Sequence, residues 1–163
     1  MKKKFYFVLP LIFYVFLSAC NGYKPIFASG NIEFDIANYT IQGDEILGKK
    51  IYLKLKNLSS TKKKTKNYKS LDFLINITKD KSPTSKDTAG KVLEYKIILN
   101  AQITVIDFVT DKTILEESFI SSVTYKVQDQ YSDTIKLENK TIENLLNKTL
   151  QEILIDLSRN ISS

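Results

Sequence analysis

Apolar and polar residues alternate first over Ile32, Phe34 and Ile36, with Glu33 and Asp35 between them, and this predicts a short strand. The next stretch, GDEILGKKIYLKLKNLSS, carries two periods. Leu47, Ile51, Leu55 and Leu58 form a helical stripe behind Asp44, a residue suited to capping. Ile51, Leu53 and Leu55 also alternate with Tyr52, Lys54 and Lys56, as in a strand. Length and the cap favour the helix. The period then returns to two. Leu71, Phe73, Ile75 and Ile77 predict a second strand, between the polar runs SSTKKKTK and DKSPTSKDTAG, both read as loops.

Two longer alternations follow. Leu93, Tyr95, Ile97, Leu99, Ala101, Ile103 and Val105 form one face of the first, and Leu115, Phe119, Val123, Tyr125 and Val127 one face of the second. Both sets lie at odd positions, so an antiparallel pair keeps them together only through an odd-numbered or bulged connection. A three-residue loop, Asp111-Lys112-Thr113, sets Val105 against Phe119, Ala101 against Val123 and Leu99 against Tyr125. The chain closes with a helix over about residues 134–160, capped by Ser132 or Asp133. Its stripe is Ile142, Leu145, Leu146, Ile153, Leu154, Leu157 and Ile161.

The expected fold class is therefore α+β. A four-stranded, mainly antiparallel sheet carries two helices on one face, in the order β-α-β-β-β-α. The opposite face is less polar than a solvated face usually is: Ile98, Ile106, Phe108, Ile114 and Ile120 fall on it. A partner lying against the strands would account for them.

The N-terminus has its own pattern. Lys2, Lys3 and Lys4 precede an uncharged, largely apolar run from Phe5 to Ala19, the layout of a secretory signal peptide. The run falls short of the roughly 20 residues of a spanning helix, and Pro10 interrupts it. Leu17-Ser18-Ala19-Cys20 resembles the bacterial lipobox, in which small residues admit the peptidase and the thiol accepts lipid. The expected organisation is a lipoprotein signal peptide at 1–19, a lipidated tether at 20–30 and one domain at 31–163. More than one acyl chain on Cys20 gives stable anchoring. Asn21 in the sorting position leans towards the outer membrane.

Charge and chemistry narrow the picture. The formal net charge is +6, and cleavage before Cys20 removes three lysines and leaves +3. A mild excess of this kind does not point to nucleic acid. The chain has no histidine and a single cysteine, so Ser-His and Cys-His nucleophiles, imidazole metal sites and paired-cysteine metal sites are excluded. No hydrolase elbow or phosphate loop is present, and no catalytic, metal or cofactor site is expected. Glu116 and Glu117 are adjacent, so on a strand they point to opposite faces. Glu138 and Glu143 are expected on a solvated helix surface. Lys62, Lys63, Lys64, Lys66 and Lys69 form one cationic cluster, and Lys79, Lys81, Lys86 and Lys91 a second. Depending on strand lengths the two share an end of the sheet, and clustered lysines can hold phosphates as point charges.

Gly22, Tyr23, Lys24, Pro25, Ile26 and Phe27, just after Cys20, resemble the start of mature LPS-assembly lipoproteins of the LptE family, of the alphaproteobacterial type. Asn21 is one residue more than the common spacing, and this domain is rich in lysine where relatives favour arginine. The resemblance implies a non-enzymatic outer-membrane lipoprotein. It would plug the LptD barrel, support its assembly and help deliver lipopolysaccharide to the cell surface. Its partners would be that barrel, lipopolysaccharide and the membrane through its acyl chains, and it would face the periplasm or the barrel lumen. Basic residues contact lipopolysaccharide in the family, and Lys62, Lys63, Lys64, Lys66 and Lys69 are candidates on charge alone. The other reading is a free-standing periplasmic lipid or lipoprotein carrier of the LolB kind, which needs an apolar cavity within a curved sheet.

Overall fold

A computed structural model of the chain describes residues 34–59 and 69–161. The signal peptide, Cys20, the motif Gly22 to Phe27 and Lys62, Lys63, Lys64 and Lys66 lie outside the described residues. Four strands and two helices follow in the expected order: β1 Phe34–Gly43, α1 Glu45–Leu58, β2 Lys69–Lys86, β3 Val92–Asp107, β4 Thr113–Lys126 and α2 Tyr131–Ile161. The sheet order is β1-β2-β3-β4. β1 lies parallel to β2, with α1 as the crossover between them. The other two pairs are antiparallel.

β1 is longer than its sequence pattern because a bulge switches its parity. Ile36 pairs with Leu71, but Asn38 pairs with Asp72, which leaves Ala37 as the extra residue. Phe34 and Ile36 before the bulge and Tyr39 and Ile41 after it therefore share one face. The strand ends at Gly43, whose φ of 78° is open to glycine at little cost. A Cβ there would overlap the Ile77 carbonyl oxygen, which already accepts the Asp44 N–H at 2.7 Å. Asp44 then caps α1, its Oδ1 accepting the Leu47 N–H at 3.1 Å. Leu47, Ile51 and Leu55 are buried as expected. Leu58 is not: the helix reaches past the sheet and leaves it 52% exposed.

β2 absorbs most of what reads as a loop. It runs through Ser82 and Pro83 to Lys86 because β3 offers a continuous partner, Lys79 lying opposite Leu99 and Lys81 opposite Ile97. The connection shrinks to a turn in which Asp87 Oδ1 accepts from the N–H groups of Ala89 and Lys91. Beyond Ile77 β2 has no β1 neighbour: Lys79 and Lys81 stay beside β3 within the sheet, and Lys86 and Lys91 flank the hairpin turn. Lys69 pairs with Phe34 at the other end of β2, so it shares no end of the sheet with Lys86 and Lys91.

The β3–β4 connection keeps odd opposite odd, but it is a bulged five-residue turn at 108–112 and not the expected three-residue loop. Val105 meets Leu115, Ala101 meets Phe119, and Leu99 meets Ser121. The partners shift by four residues from those expected. The cause is Asp107, whose Oδ1 accepts the N–H groups of Val109 and Thr110 and so starts the turn early. Ile114 is the bulge's extra residue and packs against the core, not on the outer face.

α2 begins at Tyr131, ahead of Ser132 and Asp133. Gln130 accepts the first helical N–H groups, and the Thr134 hydroxyl accepts the Gln128 N–H at 2.9 Å. Ile142, Leu145, Leu146, Ile153 and Leu157 are buried, with Leu154 and Ile161 packed at the margin. Thr149 is also buried and shares a 2.8 Å hydrogen bond with Ser121 of β4, which fixes the helix along that strand. Leu93 and Val123, expected inside, are exposed at the sheet's margins.

Candidate functional site

Among the described residues, two regions gather side chains with chemistry to offer: the sheet face opposite the helices and the hairpin end beside the start of α2.

Strand register builds the first. Gln42, Asn76, Gln102 and Ser118 stand in one row across all four strands, and Thr40, Leu74, Thr104 and Glu116 in the next. Asn76 Nδ2 donates to Gln102 Oε1 at 3.2 Å, Ser118 Oγ to Asn100 Oδ1 at 3.0 Å, and Asn38 Nδ2 to Asp72 Oδ1 at 3.0 Å. A shallow groove of about 300 Å³ runs over these rows. Ile98 and Ile106 are half-buried here, and Ile120 is open at the β4 side. The lysines on this face, Lys96 and Lys126, lie towards the hairpin end. The face is thus a field of hydrogen-bonding side chains, amides and hydroxyls with the carboxylates of Asp72 and Glu116 among them, broken by single aliphatic side chains. Sequence reading found Ile98, Ile106 and Ile120 but missed Leu74 and the amide row. Its signal was Asn, Gln, Thr and Ser recurring at the even positions of β2, β3 and β4.

The second region surrounds Lys81. Its Nζ lies 2.5 Å from Glu138 Oε2 and 4.4 Å from the centre of the Tyr95 ring. Tyr125 donates its hydroxyl to the same Glu138 oxygen at 2.8 Å, and its ring stacks beside that of Tyr95. Glu138 is therefore half-buried and paired, not solvated as expected. Beside the cluster is a cavity of about 560 Å³, lined in part by Lys91, Val127, Tyr131 and Ile135.

Burial pushes the Glu138 carboxyl up, but the hydrogen bonds from Lys81 and Tyr125 and the charges of Lys81 and Lys79 outweigh it and hold the group below 4.5. Burial pulls Lys81 down, and Glu138 and Tyr125 more than offset this, so the ammonium is held above 10.5. The pair therefore stabilises the fold between these limits. Glu138's share is present above the ordinary carboxylate value and is lost as pH falls through its lowered one. Lys81's share is lost only as pH rises through its raised value. Glu138→Gln is expected to cost about 2 kcal/mol near neutrality, the scale of a lost charge-assisted hydrogen bond. The gap from wild type should close towards acid pH. Thermal melts from pH 7 to pH 3 check this: two parallel curves would show that Glu138 gains nothing from its ionised form.

Glu143 also departs from a merely solvated position. It bridges the helices, with Oε1 2.7 Å from Lys54 Nζ and Oε2 3.6 Å from Lys50 Nζ. Of the candidate lipopolysaccharide lysines only Lys69 is described. It is half-buried, and its charge acts on Asp107. Burial raises the Asp107 carboxyl, but the Val109 and Thr110 N–H groups, the Thr110 hydroxyl and Lys69 together hold it below its usual value.

No family model matches this sequence, and no curated protein matches it at a significant level. Solved structures do. The chain is similar in fold to rare lipoprotein B from Shewanella oneidensis, at a TM-score of 0.52 and 13% identity over 77% of this chain and 99% of that one. It is also similar to a minor lipoprotein from Acinetobacter baumannii, at a TM-score of 0.51 and 12% identity over 76% and 91% of the two chains. At such identities the likeness establishes a shared fold.

Proposed function

We propose that the chain is a non-enzymatic outer-membrane lipoprotein, acylated at Cys20, that plugs an LptD-type barrel, supports its assembly and helps deliver lipopolysaccharide to the cell surface. The observation that carries the reading is the outer sheet face. The lumen of a membrane β-barrel is lined by polar side chains. The row through Gln42, Asn76, Gln102 and Ser118 offers such a wall neutral hydrogen-bonding partners, which cost less to bury than charges; the carboxylates of Asp72 and Glu116 lie to one side of it. The lipobox at Leu17 to Cys20, the motif from Gly22 to Phe27 and a fold shared with rare lipoprotein B support it from other directions.

The packing of the interior counts against the carrier reading. A lipid-sized cavity would leave the side chains around it touching empty space. Ile51, Leu55, Ile75, Leu99, Leu146 and Ile153 instead have no accessible surface. Both helices close directly onto the sheet.

Affinity purification of the tagged, detergent-solubilised chain should recover a large outer-membrane barrel, and depletion should lower surface lipopolysaccharide. Recovery of no barrel together with normal surface lipopolysaccharide would sink the plug. Cys20→Ala should abolish labelling by radioactive palmitate, and persistent label on that variant would refute acylation at this residue.

A further inference from the structure

A sheet edge presents unpaired N–H and C=O groups, and proteins ordinarily guard it with bulges, lysines or proline. Among the described residues three sheet edges are open, and two of them are guarded in this way. β1 carries the bulge at Ala37. The part of β2 that runs past β1 carries Lys79, Lys81, Pro83 and Lys86. β4 differs. It pairs with β3 on one side only, its bulge at Ile114 lies at its very start, its 14 residues hold no proline, and its single lysine is its last residue, so that Glu116 and Glu117 are the charges within it. Its register with β3 is regular from Leu115 to Lys126. Exposed apolar side chains mark both of its faces: Ile120 is 66% exposed on the outer face and Val123 36% on the helix side.

We propose that this edge is closed by a second copy of the chain, β4 pairing antiparallel with β4 about a two-fold axis at Ser121. Charge selects that register. It sets Glu116 opposite Lys126 of the second copy, and symmetry repeats the pair. The same register sets Val123 against Phe119 of the second copy on the helix side. It also brings the two Ile120 side chains together across the axis on the outer face. Moving the register by two residues in one direction puts Lys126 against Ile114 and Glu117 against Val123. Moving it in the other puts Lys126 against Ser118 and separates the two Ile120 side chains. A one-residue slip turns each helix-side residue against an outer one. One register thus pairs Glu116 with Lys126 and satisfies both exposed apolar residues, with Glu117 opposite Tyr125 of the second copy. The proposal concerns the chain in the absence of other proteins and does not rest on the barrel reading, so either can fail alone.

The test uses the full-length chain purified in detergent, with mass measured by sedimentation over a dilution series. Wild type should be a dimer. Glu116→Lys and Lys126→Glu should each weaken dimerisation about tenfold, because each reverses two symmetric contacts. The double variant carrying both changes should recover the wild-type affinity. A position-specific readout separates edge pairing from two anchors sharing a micelle. Differently tagged Ile120→Cys and Ser122→Cys chains should cross-link to each other well above the level of the wild-type chain, and Thr113→Cys with Ser122→Cys should not. A monomer at every concentration overturns the proposal. So does a dimer indifferent to both charge reversals, or one without the cross-link between positions 120 and 122.

Discussion

Gly43→Ala should lower the free energy of unfolding by about 2–3 kcal/mol. The left-handed backbone at this position costs any residue with a Cβ about 1–2 kcal/mol. The added methyl also meets the Ile77 carbonyl oxygen, so the Asp44 N–H bond to that oxygen is disturbed, at about 1 kcal/mol more. The glycine thus joins two functions: it turns the chain out of β1, and it lets the start of α1 touch β2. Gly90 supplies the control. Its φ of 84° is also left-handed, but a Cβ there meets nothing within 4 Å. Gly90→Ala should cost the conformational part alone. Urea denaturation of the two variants side by side separates the contributions, and equal shifts would show that the approach to Ile77 is of no consequence.

The second large effect is Leu55→Ala, at about 3 kcal/mol, set against Leu58→Ala within about 0.5 kcal/mol of wild type. The two leucines are indistinguishable by period, since both lie on the stripe that begins at Leu47. Only the depth of packing separates them. Leu55 has no accessible surface, and Leu58 lies a turn further on, where α1 has passed the edge of the core. Comparable losses for both variants would mean that residues outside the described part of the chain cover Leu58.

That pair shows what a sequence of this kind discloses. Period gives the element type and the inward face, and here it yields the order of strands and helices and most of the core. It carries no information on where one element outruns its neighbour. β2 reads as ending near Lys79 because Ser82, Pro83 and Ser85 are poor strand residues taken alone. β3 lies opposite them, and pairing overrides propensity. The β3–β4 turn was misplaced for a related reason. Parity fixes which residues face inward, but a shift by an even number leaves parity unchanged, so only the local hydrogen bonds of Asp107 could locate the turn. The regions with chemistry were the least legible. Glu138 sits at a surface position of α2, and its burial depends on Lys81 and Tyr125, which lie 57 and 13 residues away in the chain. The amide row on the outer face needs three registers at once before it exists as a row.

The parallel pairing of β1 with β2 has a consequence for reach. Phe34 and Lys69 lie side by side, so the chain enters the sheet at the end where β2 begins. From there β2 runs to Lys86, a span of up to about 55 Å at 3.3 Å per residue. The hairpin tip with Lys86 and Lys91 is thereby held at the far end of a stiff rod from the point of entry. That length exceeds the hydrocarbon thickness of a bilayer, about 30 Å. Whatever the tip lysines touch therefore lies a full strand length from the residue at which the chain enters the sheet.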